Sequence, residues 1–144
     1  MIAIDALSSI VLEEAIAIHK EFGPGLFESV YESVLAGRLR RRRLMMERQV
    51  QVKAVFDGET YDPAFKIDML VDQRLVIEIK AVEALSKAHA KQLLTYLRLL
   101  KQPVGLLLNF SGETMRDGIR RVVNDYNPHY SSAPQISSLR LCVN

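Results

Sequence analysis

Apolar residues near the start of the chain recur at helical spacing. The first series occupies Leu7, Ile10, Val11, Ala15, Ile18 and Phe22. Gly23-Pro24-Gly25 follows, and this segment ends a helix because proline and its neighbours resist helical continuation. A second series occupies Phe27, Val30, Tyr31, Val34 and Leu35. The pattern predicts two amphipathic helices, each with these apolar residues on its buried side.

Beyond Gln49 the apolar residues alternate with polar ones, which is typical of half-buried strands. The first predicted strand buries Val50, Val52, Ala54 and Phe56, and Asp57-Gly58 is a hairpin turn signal. The second is expected to place Phe65, Ile67, Met69 and Val71 on one face and Lys66 and Asp68 on the other. The third places Leu75, Ile77 and Ile79 on one face and Val76, Glu78 and Lys80 on the other. Together they predict a three-stranded meander.

The later segments complete a mixed α/β order. Ser86 is a predicted N-cap for a helix that reaches about Lys101. The apolar run 104–110 predicts a strand covered on both faces, and 114–126 is read as a last helix. The order is therefore helix, helix, three strands, helix, strand, helix, which predicts one α/β domain over residues 1–126. Residues 127–144 form a C-terminal tail with no assigned element.

Composition narrows the class of protein. A chain of 144 residues, 49% hydrophobic and 25% charged, suits one globular domain. Cys142 is the single cysteine, so neither an intrachain disulfide nor a zinc site built on several cysteines is available. No apolar run approaches about 18 residues, so no membrane span is expected, and the acidic residues near the N-terminus argue against a signal peptide. We expect a cytoplasmic protein. Its net charge of +2 means that any nucleic-acid-binding surface must be local.

The meander brings two carboxylates together. A three-residue loop, Asp72-Gln73-Arg74, would place Asp68 directly opposite Glu78 and Lys66 beside Lys80. Adjacent carboxylates repel each other unless a cation lies between them, and Mg²⁺ takes one or two protein carboxylates while keeping waters. Lys80 on the same face could then orient a water or stabilise phosphate charge. The alternative is that these charges are a solvated strand face.

Several segments resemble one known family. The segment Gly23 to Tyr31 resembles the signature of the GxxExxY proteins, with Gly25, Glu28 and Tyr31 at the signature positions. Further similar segments are 67–71, 76–83, 92–97 and 104–110, in the family's order. These small proteins are assigned to the PD-(D/E)XK nuclease-like superfamily, and the resemblance covers about Leu7 to Val123.

The resemblance implies a restriction-endonuclease-like αβββαβ core with a mixed central sheet flanked by helices. It implies Mg²⁺ or Mn²⁺ bound by Asp68, Glu78 and the Ile79 carbonyl. Lys80 would be the catalytic lysine, with Glu28 and Gln92 completing the pocket. Lys66 stands where arginine is expected, which changes phosphate geometry more than charge. Members of the superfamily include nucleases and proteins that kept the fold without catalysis. The resemblance therefore leaves two functions open: a metal-dependent nuclease, or a non-catalytic module that binds nucleic acid or a protein partner.

Several further assignments stay open between two interpretations. The basic run Arg38, Arg40, Arg41, Arg42 and Arg43, with Lys66, either grips nucleic acid, DNA or RNA, or is a solvated helix end. Glu32 is expected to be exposed, and His89 to be a surface or cap histidine. A metal-free ion network of Asp68, Glu78 and Lys80 is a third reading of that site. The C-terminal tail, residues 127–144, could pair with a second copy to form a homodimer.

Overall fold

The computed structural model describes residues 2–124. Two helices open the fold, as the periodicity predicts: α1 spans Ile4–Phe22 and α2 spans Glu28–Arg41. Gly23 follows α1 with a positive φ of 68°, a conformation that glycine adopts without strain. The two predicted helices and the turn between them are confirmed.

Five strands form one mixed sheet in the order β1-β2-β3-β4-β5. Their bounds are β1 Met46–Phe56, β2 Glu59–Val71, β3 Leu75–Lys80, β4 Val104–Asn109 and β5 Ile119–Val123. Helix α3, Lys87–Leu100, connects β3 to β4, which pair in parallel, whereas the other neighbours are antiparallel. The predicted meander with a helical crossover is thus confirmed, and the fold is consistent with a restriction-endonuclease-like core.

The sheet separates two apolar cores. Helices α1 and α2 pack on one face, where Leu7, Tyr31 and Ile77 are among the buried residues. Helix α3 packs on the other face through Leu93, Leu97 and Leu100. All six residues of β4 are buried, as its apolar run predicts. The sheet is therefore covered on both sides, and polar side chains in its interior need partners.

The alternation of β1 and β2 reverses at Gln49 and Asp68. Ile67 packs in the core under α3, whereas Met69, two residues later, packs under α1 and α2. The register stays continuous, with Arg48 opposite Met69 and Val50 opposite Ile67. The prediction that residues 65, 67, 69 and 71 share one face is therefore wrong. Gln49, which has a φ of 49°, lies at the position in β1 where the alternation changes.

The predicted last helix is also wrong in the described residues. Residues 116–118 form one turn of 3₁₀ helix, and Ile119–Val123 is strand β5. Its apolar positions have helical spacing, yet pairing with β4 satisfies backbone groups that the buried β4 would otherwise leave unpaired. A Cβ on Gly118 would lie 2.0 Å from the Asn109 carbonyl oxygen, so glycine permits this close turn. Residues 125 and 126, and the tail 127–144, lie outside the described residues.

Four residues assigned to buried faces are exposed. Phe22, Phe27, Val30 and Phe56 have exposed fractions of 46%, 82%, 39% and 44%. Phe56 lies at the tip of the β1–β2 hairpin, and the other three lie around the turn between α1 and α2. Within residues 2–124, no helix combines the length and apolarity needed to cross a bilayer.

Candidate active site

The carboxylate pair lies where β2 and β3 separate. Val71 pairs with Leu75 across the predicted three-residue loop, and pairing continues to Met69 opposite Ile77. The next position in that register places Asp68 against Glu78. At this position the backbone N–H groups bond to side-chain oxygens of the opposite strand. Asp68 N–H donates to Glu78 Oε1 at 3.1 Å, and Ile79 N–H donates to Asp68 Oδ2 at 2.8 Å.

Burial raises the pKa values of Asp68 and Glu78 and so opposes the ionisation of both carboxyls. Burial, with a smaller contribution from the Asp68 charge, raises the pKa of Glu78 to about 8. Burial also raises the pKa of Asp68, opposed by the hydrogen bond from Ile79 and reinforced by the Glu32 charge. The Lys80 charge lowers the pKa of both carboxyls, so the lysine is close enough to favour their ionised forms.

Glu28 joins helix α2 to the end of β3. Its Oε1 accepts a hydrogen bond of 3.0 Å from Ala81 N–H, the residue directly after Lys80. Glu28 is exposed and is the first residue of α2. The predicted catalytic glutamate is thus brought to the strand that carries Glu78 and Lys80.

Tyr31 holds the turn that precedes Glu28. Its hydroxyl donates to Gly23 O at 2.6 Å and accepts from Leu26 N–H at 3.2 Å. Its ring is buried and stacks on Phe110, with centroids 4.4 Å apart and an interplanar angle of 11°. Gly25 in this turn has a φ of 110°. Tyr31 therefore fixes the backbone that presents Glu28.

Glu32 is buried, so the expectation that it is exposed is wrong. Arg48 donates to Glu32 Oε2 from Nε at 2.9 Å and from Nη2 at 2.7 Å. Gln49 Nε2 donates to Glu32 Oε1 at 2.6 Å and also lies 3.4 Å from Asp68 Oδ1. Gln49 thus links two carboxylates. The sequence does not reveal this network, because the partners of Glu32 lie on β1 and the helical spacing around Glu32 gives no information about contacts with a strand.

An open pocket of about 700 Å³ exposes this site. Its lining combines carboxylates and apolar side chains, namely Leu26, Phe27, Glu28, Ser29, Glu32, Gln49, Asp68, Ile79 and Ala81. One side of the pocket is the start of α2, and the other is the edge where β2 and β3 part. The predicted residues Glu28, Asp68 and Ile79 are therefore brought together in a space that a ligand can enter.

Asn109 fixes the chain beyond Lys80, a role that the sequence did not indicate. Its side chain accepts from Val82 N–H at 3.1 Å and donates to Val82 O at 2.9 Å. Phe110 N–H also donates to Lys80 O at 3.0 Å. The end of β4 therefore holds the segment that carries the lysine.

Helix α3 brings Tyr96 within the electrostatic influence of the two carboxylates. The charges of Glu78 and Asp68, together with a larger effect of burial, raise the pKa of Tyr96. Its ring stacks on Phe65 with centroids 4.3 Å apart. Gln92, one turn earlier, is exposed on α3. His89 forms a capping box with Ser86, which confirms both the predicted N-cap and the cap histidine.

The predicted nucleic-acid-binding arginines lie at the C-terminal end of α2, whereas Glu28 lies at its N-terminal end. The 14 residues from Glu28 to Arg41 cover roughly 20 Å along the helix axis, at a rise of about 1.5 Å for each step from one residue to the next. Arg38 pairs with Glu21 at 2.5 Å, and Arg42 pairs with two glutamates of α1 at 3.1 and 3.3 Å. Arg40 and Arg41 are exposed near the same helix end, and Lys66 is exposed on β2. These arginines do not line the pocket.

The donor set suits a hard divalent cation held largely by water. Within residues 2–124, no group of three or more His, Cys, Asp and Glu side chains forms a ready ligand cluster. Two carboxylates are nevertheless enough for Mg²⁺, which keeps several waters. Asp68 and Glu78 are adjacent, and burial raises the pKa of both carboxyls, so a bound cation would favour their ionised forms. The residues therefore fit such an ion, with the Ile79 carbonyl as the predicted backbone ligand.

Comparison with known proteins gives one family match. The family model described as the PD-(D/E)XK nuclease superfamily matches residues 5–122. Among solved structures, the crystal structure of SSO0001 is similar at a TM-score of 0.48 and 15% identity, covering 85% of this chain and 80% of that one. No curated protein matches the chain.

Proposed function

Because this chain belongs to the PD-(D/E)XK nuclease superfamily, we propose that it is a nuclease that hydrolyses phosphodiester bonds with Mg²⁺ or Mn²⁺. The observation that carries the proposal is the interlocked pair of Asp68 and Glu78, each accepting a backbone N–H from the opposite strand. These bonds fix two carboxyl groups side by side, with Asp68 in the pocket lining, although burial opposes their ionisation. Such an arrangement, kept at a cost in electrostatic energy, is typical of a functional site.

Each residue of the site would have its own role in phosphodiester hydrolysis. Asp68, Glu78 and the Ile79 carbonyl would hold the ion, which supplies charge stabilisation to a transferring phosphate when bound. Lys80 would hydrogen-bond a phosphate oxygen or orient the attacking water. Glu28 fixes the backbone after Lys80 through Ala81 N–H and lies at the same pocket. Gln92 would contact substrate from α3 only at the outer rim, because it is exposed there.

The direct test is cleavage of labelled single- and double-stranded DNA and RNA in Mg²⁺, Mn²⁺ or EDTA. We expect cleavage that requires the metal and falls by 10²–10⁴-fold in Lys80→Ala, the range for loss of an acid–base or charge-stabilising group. Asp68→Asn should lose cleavage while retaining an acceptor for Ile79 N–H. Lys101→Asn is the matched control: it removes one positive charge at the far end of α3, where asparagine tolerates the left-handed φ of 55°.

A binding module without catalysis is the second candidate. It is favoured by the use of one oxygen of each carboxylate in a backbone hydrogen bond, which a purely structural pair would also show. Under this function, no nucleic acid is cut in any metal, and Lys80→Ala weakens binding instead. Cleavage by the unmodified chain that Lys101→Asn keeps and Lys80→Ala loses would reject it.

A further inference from the structure

Phe27 is an aromatic side chain held in water at the mouth of the candidate active site. Its exposed fraction is 82%, although aromatic side chains contribute most to stability when they are buried. Its position is nevertheless fixed, because its carbonyl accepts hydrogen bonds from Val30 and Tyr31 N–H at 3.0 and 3.3 Å. The Tyr31 hydroxyl holds the preceding turn. A rigid backbone thus presents an exposed ring.

The ring belongs to a small apolar surface that continues into the pocket. Leu26 and Val30, beside Phe27, are 38% and 39% exposed. Leu26 and Phe27 line the same pocket as Glu28 and Asp68. The pocket lining therefore combines this apolar surface with the carboxylates of Glu28, Glu32 and Asp68.

The occupant of such a pocket must combine an apolar flat face with a group that the polar residues can bind. An anionic membrane surface is disfavoured because Glu28 and Asp68 stand beside the ring. A protein partner that covered Phe27 would also desolvate these carboxylates, which is costly without a paired cation. A nucleotide has both required parts, because its base offers an uncharged π face and a divalent cation held by Asp68 would bind its phosphate.

We propose that Phe27 stacks on an unpaired nucleobase next to the scissile phosphate, so that the substrate is single-stranded nucleic acid. This inference rests on the proposed nuclease function of the same site. Both faces of a base inside a duplex are covered by its neighbours, whereas an unpaired base has a face free for an aromatic side chain. Stacking of this kind tolerates any base, so it selects strandedness rather than sequence.

Fluorescence gives a test that does not depend on cleavage. The chain contains no tryptophan, so Phe27→Trp introduces a single reporter at the proposed stacking position. Single-stranded DNA or RNA oligonucleotides should quench this fluorescence, with the two arms identifying the sugar, and a blunt duplex of the same sequence should not. Phe56→Trp is the matched control, because it is exposed at the hairpin tip and does not line the pocket. Equal quenching of both reporters, or quenching by duplex alone, overturns the proposal.

Affinity provides the second measurement. In a Lys80→Ala background that prevents turnover, Phe27→Ala should weaken single-strand binding roughly 5- to 150-fold, the range for loss of one stacked base. Phe27→Tyr should keep the affinity, and Phe27→Leu, which is apolar but not aromatic, should lose it. Duplex affinity should stay constant in all three variants. Full affinity in Phe27→Leu would overturn stacking.

The two proposals can fail separately. Metal-dependent cleavage by the unmodified chain, with no quenching of Phe27→Trp, would retain the nuclease and reject the stacking role. Quenching without any cleavage would retain the single-strand site and reject catalysis. If Phe27→Ala changes the sedimentation coefficient and leaves single-strand affinity unchanged, the surface binds a second copy of the chain and the proposal is wrong.

Discussion

At the scale of single residues, the position of the carboxylate pair could be predicted but its environment could not. Loop-length arithmetic places Asp68 opposite Glu78, and the structure has this loop. The hydrogen bonds from Asp68 N–H and Ile79 N–H depend on the parting of two strands, which spacing along the chain does not encode. Glu32 shows the same limit, because its burial depends on Arg48 and Gln49 from β1.

The raised pKa of Glu78 predicts a pH-dependent gain of stability in Glu78→Gln. The folded chain keeps the Glu78 proton up to about pH 8, whereas the unfolded chain releases it near the ordinary value of 4.5. Between these values the folded state binds more protons, so its stability falls as pH rises, and the whole penalty is present above pH 8. Glu78→Gln removes this penalty while its side-chain oxygen can still accept from Asp68 N–H.

We therefore expect Glu78→Gln, in EDTA, to resist urea better than the unmodified chain at pH 9. The gain should be a few kcal/mol, at about 1.4 kcal/mol per pKa unit. Near pH 4 the gain should vanish. Urea unfolding at a series of pH values measures it, with the exposed neighbour Glu83→Gln as control. A constant difference across that range would mean that the pKa of Glu78 is the same in the folded and unfolded chains, and it would contradict this prediction.

At the scale of elements, periodicity predicted most segments, and the errors have particular physical causes. Residues 119–123 have helical spacing, yet they form β5 because the neighbouring β4 needs a hydrogen-bonded partner. The faces of β1 and β2 reverse at Gln49, which has a positive φ, and Asp68, and no periodicity reveals where such a reversal occurs. Phe27 fits the helical spacing of the apolar residues in α2, but it lies just before the helix and is exposed to water.

The turn between α1 and α2 is expected to depend on the Tyr31 hydroxyl. Tyr31→Phe keeps the stack on Phe110 but removes the bonds to Gly23 O and Leu26 N–H. Loss of a buried hydroxyl should reduce the free energy of unfolding by roughly 1–3 kcal/mol. Because the turn precedes Glu28, cleavage should also slow.

Urea unfolding and cleavage rates measure the two effects of Tyr31→Phe. Tyr61→Phe is the matched control, because Tyr61 is 48% exposed on the hairpin and its hydroxyl can bond to water. The control should change stability by less than about 0.5 kcal/mol. Equal stability of the two variants would show that the Tyr31 hydroxyl does not hold the turn.

At the scale of the whole molecule, the candidate site lies at the carboxyl end of the parallel pair. Lys80 and Asn109 are the paired last residues of β3 and β4. In open α/β sheets the carboxyl ends of parallel strands are where ligands bind. The start of α2 reaches this end through Glu28, while the arginine-rich end of α2 lies roughly 20 Å away along the helix. The fold thus places Glu28, Asp68 and Glu78 at this end of the sheet and the paired arginines of α2, Arg38 and Arg42, at the other end of that helix.

A bound ion should stabilise the whole domain if Asp68 and Glu78 form a metal site. An ion that binds only the folded chain adds about 2.7 kcal/mol at 100 times its Kd, which for a domain of this size raises Tm by roughly 10 °C. We expect this rise in Mg²⁺ or Mn²⁺, and its loss in Asp68→Asn. Differential scanning calorimetry measures it, with Asp117→Asn as an exposed control. If Tm stays equal with and without the ions, the charges of Asp68, Glu78 and Lys80 balance one another as a structural network. In that case Asp68 and Glu78 bind no ion, and the proposed metal-dependent nuclease has no metal site.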